Sequence, residues 1–120
     1  MFRENITDDI SHDVLTSGKI EVKNFKDQIG YQQDSTVIKT VLKKQNGNVV
    51  LFAFDKDQGL IEHSASSEAL IYIIEGEIDF IIAGETYLLK DGDSLKLPVK
   101  APHSLFAKEK TKILLVVISE

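Results

Sequence analysis

Four Xaa-Gly steps, Asn46-Gly47, Glu75-Gly76, Ala83-Gly84 and Asp91-Gly92, cut most of this chain into short lengths. What lies between them is too short for packed helices and carries the period of strands. Ile78, Phe80 and Ile82 alternate with Glu77, Asp79 and Ile81, and Leu95 and Leu97 alternate with Ser94 and Lys96. Alternation of period two marks a strand with one buried face. Thr36 to Lys43 is β-branched, Asn46-Gly47 supplies the positive φ angles of a tight hairpin, and Val49 to Phe54 runs back as its partner. Ala69 to Ile74 is continuously apolar, Thr86 to Lys90 returns from the Ala83-Gly84 turn, and Lys112 to Ser119 is the last strand. Ile20 and Val22, alternating with Glu21 and Lys23, predict one more strand near the start. No helix of convincing length and no βαβ rhythm appears. The expectation is an all-β antiparallel sandwich or barrel.

At 120 residues the chain makes one domain. Residues 1–18 are polar and aperiodic and read as an N-terminal arm, with residues 19–120 forming the barrel. His12 lies in the arm, with no other ligand-type residue at a matching spacing, and reads as a solvated surface residue. A net charge of −5 argues against a nucleic-acid partner, because phosphate binding needs a basic face. Neither a spanning apolar run nor a basic amphipathic helix occurs, so no membrane partner is expected. Met1 to Asn5 is not followed by the apolar run of a secretory signal. The chain has no cysteine, which removes disulfides, thiolate nucleophiles and cysteine-based zinc sites and fits a cytoplasmic location.

One bend stands apart. Pro98 and Pro102 are the only prolines, and both lie in the five residues before His103. Proline fixes its own φ and pushes the preceding residue toward extended geometry, so His103 is rigidly presented. The second histidine of interest, His63, precedes the small polar run Ser64-Ala65-Ser66-Ser67. The serines there lack a spaced acid partner or a nucleophile-elbow sequence, and no phosphate-binding glycine loop precedes a helix. Lys108, Lys110 and Lys112, alternating with Glu109 and Thr111, read as a solvated edge.

These segments resemble the cupin superfamily over roughly residues 35–118. Its second motif, G-x5-P-x-G-x2-H-x3-N, is matched by Gly92, Pro98 and His103, with Lys100 at the glycine and Ala107 at the asparagine. Its first, G-x5-H-x-H-x3,4-E-x6-G, is matched by His63 and Gly76, with Ala65 at the second histidine and Ala69 at the glutamate. Gly59 leads that motif two residues closer to His63 than the pattern asks. The resemblance implies a double-stranded β-helix, the jelly-roll barrel of RmlC-like proteins.

A metal-binding cupin supplies three histidines and a carboxylate, and this chain keeps two of the four. No firmly held cofactor follows. At most a weakly bound divalent zinc, nickel, iron or manganese ion on His63 and His103 is expected. Glu68, one residue from the glutamate position, is a replacement ligand only if a bulge turns it inward. Strand parity places Ile61, His63 and Ala65 on one face, with Ala69, Ile71 and Ile73 inward beyond the turn and His103, Leu105 and Ala107 inward on the site strand. Phe52 or Phe54, and Tyr87, close the ends. The expected site is an apolar cup with two imidazoles at one pole.

Three readings stay open: a small-molecule-binding barrel, a metal-dependent dioxygenase or isomerase, and a structural or regulatory module with a vestigial pocket. Apolar runs at Ala69–Ile74 and Ile113–Ile118 exceed what one barrel face absorbs, which predicts a homodimer.

Overall fold

The computed structural model describes residues 20–120. The expected arm, residues 1–18 with His12, lies outside the described residues. The architecture is two antiparallel sheets facing each other, formed by strands β1 (Thr36–Lys44), β2 (Gly47–Phe54), β3 (Gly59–His63), β4 (Glu68–Glu75), β5 (Glu77–Ile82), β6 (Glu85–Lys90), β7 (Ser94–Leu97), β8 (His103–Ala107) and β9 (Thr111–Ile118). One sheet runs β1-β2-β9-β4-β7 and the other β3-β8-β5-β6. Strands adjacent in sequence are often in opposite sheets, which closes the jelly roll predicted above.

Period-two alternation becomes burial where both sheets meet. Ile78, Phe80 and Ile82 point inward from β5, with Ile78 and Phe80 fully buried. They pack with Phe52, Phe54, Ile71, Ile73, Leu89, Leu97, Leu105, Ala107 and Ile113 into one core. Phe52 and Phe54 stack with ring centroids 5.6 Å apart. A fully buried aromatic side chain contributes roughly 3 kcal/mol by area alone, so this cluster carries most of the fold's stability. Thr111 is a polar residue of the interior with no exposed surface. Its hydroxyl donates to the Glu109 carbonyl at 2.7 Å and accepts from the Glu77 amide at 3.1 Å.

The predicted strand around Ile20 and Val22 does not form. Both side chains are exposed, and the chain instead enters a single 3-10 turn, Phe25–Asp27, capped by the Asn24 side chain on the Lys26 amide. Two apolar residues alternating over four positions bury nothing unless a partner strand is at hand. Just beyond, Ile29 and Tyr31 fold back over the outer face of the five-stranded sheet and pack with Leu51, Ala53, Ile74 and Leu114. The Tyr31 hydroxyl donates to Glu75 at 2.7 Å, and burial together with that carboxylate pushes its phenol far above its ordinary range. Lys112, mostly buried, lies 5.1 Å from the same ring centre and donates to the Lys26 carbonyl. A strap from the same chain therefore covers part of the outer apolar face. Leu70, Tyr72 and Ile118 on the other part remain exposed.

Candidate functional site

His103 opens β8 and pairs across it with His63 at the end of β3 and with Ile82 at the end of β5. It shares the inward face with Leu105 and Ala107, as strand parity predicts, and is buried. His63 arrives by a different route. On β3 the register shifts between Leu60 and His63, so three residues there span two on β8, from Leu105 to His103. This bulge resets the alternation. Leu60 packs against the core and His63 meets His103, while Ile61, expected to face inward, is 87% exposed. Gly59 precedes the bulge where its backbone lies so close to the Leu105 carbonyl that a Cβ has no room. That contact, not chain flexibility, is the physical reason for glycine there.

The two imidazoles touch, with centroids 4.2 Å apart and planes at 61°. Their Nε2 atoms are separated by 3.1 Å. Each Nδ1 is 3.0 Å from a backbone carbonyl two residues earlier, Ile61 for His63 and Ala101 for His103. A carbonyl oxygen only accepts, so each Nδ1 carries its proton. Two neutral rings of that tautomer would turn lone pairs toward each other across 3.1 Å. The contact is attractive only when one proton, or one electrophilic group, lies between the two Nε2 atoms.

The supporting loop is tied on both sides. The Lys100 amide donates to the Ala65 carbonyl at 2.8 Å, and the Ala83 amide donates to the Pro102 carbonyl at 2.9 Å. Lys100 has φ +67°, a left-handed conformation that costs a residue with a Cβ about 1 kcal/mol.

The other predicted pocket residues fall into two groups. Ile71, Ile73, Leu105 and Ala107 lie on the inner face as expected, packed among phenylalanines at the barrel waist, with Ala69 partly buried at its edge. Ala65 is exposed in the β3–β4 loop rather than on that face. Tyr87 is also exposed, bonded to Glu85, and closes no end of the barrel. Glu68 stays in regular register, 3.5 Å from Lys96 on the outer face, and is not turned toward the histidines. A recess of about 560 Å3 opens beside the same loop, lined by Ser66, Ser67, Glu68, Val99, Ile118, Ser119 and Glu120. Sequence reasoning missed it because its walls come from the ends of three separated segments.

A metal fits this donor set poorly. Two nitrogens 3.1 Å apart can both lie about 2.1 Å from one ion at an angle of roughly 95°. Yet no third donor is supplied, and among the described residues no cluster of three histidine, aspartate or glutamate side chains occurs. The residues form half a metal site.

The family model of the cupin domain matches residues 50–119, more than half of the chain. The chain is a cupin. Solved structures agree with the assignment. A conserved protein from Streptococcus pyogenes is 28% identical, with a TM-score of 0.81, over 85% of this cupin and 90% of that chain. An RmlC-like cupin from Desulfovibrio desulfuricans is 25% identical, with a TM-score of 0.73, over 83% and 97%. A cupin 2 conserved barrel domain protein from Leptotrichia buccalis is 29% identical, with a TM-score of 0.73, over 76% of this cupin and 44% of that chain. No match was found among curated proteins. Among the described residues of this cupin no helix is long and apolar enough to cross a membrane.

Proposed function

We propose that this cupin binds a small molecule at the rim of the barrel, with His63 and His103 as its polar contact. The observation that carries the reading is the Nε2 pair at 3.1 Å with both Nδ1 atoms committed to carbonyls. Buried polar atoms in folded proteins almost always have complementary partners. This pair is complementary only to something positive or electrophilic placed between or beside the two nitrogens. His103, buried and fixed by Ala101, is the rigid half, and His63, exposed, is the half a ligand reaches. A shared proton gives the pair a positive charge, which attracts an electronegative atom of the ligand. Small-molecule sites combine apolar walls with a few convergent polar groups of this kind. The half-complete donor set weighs against the metal-enzyme alternative. The arrangement of both imidazoles, held from behind by carbonyls, weighs against a vestigial pocket.

The test is proton and nitrogen NMR of the imidazole groups during titration with a panel of small metabolite-like acids, polyols and amines. Saturable shifts at His63 and His103 together, lost in His63→Ala, are the expected result. A panel that moves neither imidazole at millimolar concentration removes the reading and returns the weight to a structural role.

A further inference from the structure

Among the described residues, four other than glycine hold a positive φ, Asp34, Asp57, Ala83 and Lys100. Aspartate tolerates this geometry through its short polar side chain, and Ala83 stands in the two-residue turn Ala83-Gly84 joining β5 to β6. Lys100 has neither reason. The Ala101 amide donates to the Pro98 carbonyl at 3.4 Å, and Val99 is not among the positive-φ residues. Pro98 to Ala101 is therefore a type II turn, whose third position favours glycine or asparagine. A lysine occupies it.

The place of that turn gives the ammonium a use. The Lys100 backbone is bonded to Ala65, two residues past His63, and the next carbonyl, Ala101, holds His103. Lys100 thus sits between the two segments that carry the imidazoles. Of the chain's 19 acidic residues, none lies in Ser64–Ser67 or Pro98–Ser104. Lys96 nearby is matched to Glu68, whereas the exposed Lys100 has no ion pair among the described residues. In a chain of net charge −5, these two segments and the adjacent His63 together carry one lysine, two imidazoles and no carboxylate.

We propose that Lys100 is a specificity-determining residue, selecting a small carboxylate anion for the histidine pair. This rests on the rim-binding reading above and names its ligand class. The four-carbon stem leaves the ammonium mobile enough to meet one carboxylate oxygen while the positive charge of the proton-sharing imidazole pair faces the other. No carboxylate of the protein stands in these segments to compete for it.

The experiment follows oxalate binding by imidazole NMR at constant ionic strength, with erythritol and inorganic phosphate as further probes. Oxalate should shift both imidazoles in the parent and in Lys100→Arg. Its dissociation constant should rise about twofold to fivefold in Lys100→Gln, the loss of one exposed charged partner. Lys100→Gly should lose affinity likewise while melting a few degrees higher, because strain leaves with the side chain. That rise separates lost charge from lost fold. Parent-like affinity in Lys100→Gln overturns the proposal, and phosphate binding more tightly than oxalate overturns the carboxylate class. Erythritol binding at the imidazoles without oxalate binding overturns the anion but leaves the rim site standing. Binding of none of the three overturns this proposal, and the wider panel then decides the rim site itself.

Discussion

The two ends of β8 belong to different physical regimes. At Ala107 the strand is sealed among Phe80, Ile78 and their neighbours, and every position is held by many weak contacts at once. At His103, four residues away, position is set by a few directed bonds: one to Ala101, one to His63, and those that pin the surrounding loop to Ala65 and Ala83. The waist is specified by volume and the rim by hydrogen-bond geometry. A barrel so divided can change the side chains at its rim without changing how it folds.

That division is broken most directly at Phe80, which has no exposed surface. Phe80→Ala should lose about 3–5 kcal/mol in urea unfolding, a large part of a small domain's total. A loss below about 1 kcal/mol would mean the waist is loosely packed and the contrast is false. Next comes Thr111. Thr111→Val keeps the volume but leaves the Glu77 amide without its acceptor, an expected cost of about 1–3 kcal/mol, whereas Thr111→Ser retains most of the stability. Equal losses in the two variants would assign the effect to the methyl group instead.

On the rim, His63→Ala should change stability by less than about 1 kcal/mol, because the ring is exposed and only its contacts to Ile61 and His103 are lost. A loss as large as that of Phe80→Ala would show that the rim carries the fold.

Asp55 offers a finer probe at the other end of the barrel. Its carboxylate accepts the amides of Asp34 and Lys56, which hold its titration below the ordinary carboxylate range. The contribution of these bonds is present above the unfolded-state value and fades as pH falls through the lower folded one. Asp55→Asn should therefore flatten the acid limb of the stability curve while leaving the rim imidazole resonances in place. An unchanged acid limb would remove Asp55 from the account.

The smallest effect expected is that of metal. With a two-histidine dissociation constant on the order of 1 mM, 0.1 mM zinc would add only about 0.06 kcal/mol. The melting temperature should scarcely move, and dialysis against metal-free buffer should leave far less than one ion per chain. Near-stoichiometric metal that vanishes in His63→Ala would show a third ligand at work.

The waist was legible in the sequence because burial follows alternation. Ile78, Phe80, Ile82 and Leu97 point inward where the period says they should. The His63–His103 pairing was legible only through the family's spacing, since residues 40 apart have no local period in common. Ile61 was misread because a single inserted position reverses the faces of a strand, and nothing in Leu60-Ile61-Glu62-His63 announces a bulge. Ile20 and Val22 were misread because a period without a pairing partner makes no strand. The strap of Ile29 and Tyr31 was missed because two apolar residues in a polar stretch give no periodic signal.

The bulge in β3 also works as a phase adjuster. Without the bulge, strict alternation from Leu60 would turn Glu62 inward beside His103 and rotate the imidazole out of the rim. None of the phenylalanines at the waist need move. A bulge gained or lost in an edge strand is thus a separate dial on this scaffold, able to exchange the chemistry at the barrel mouth.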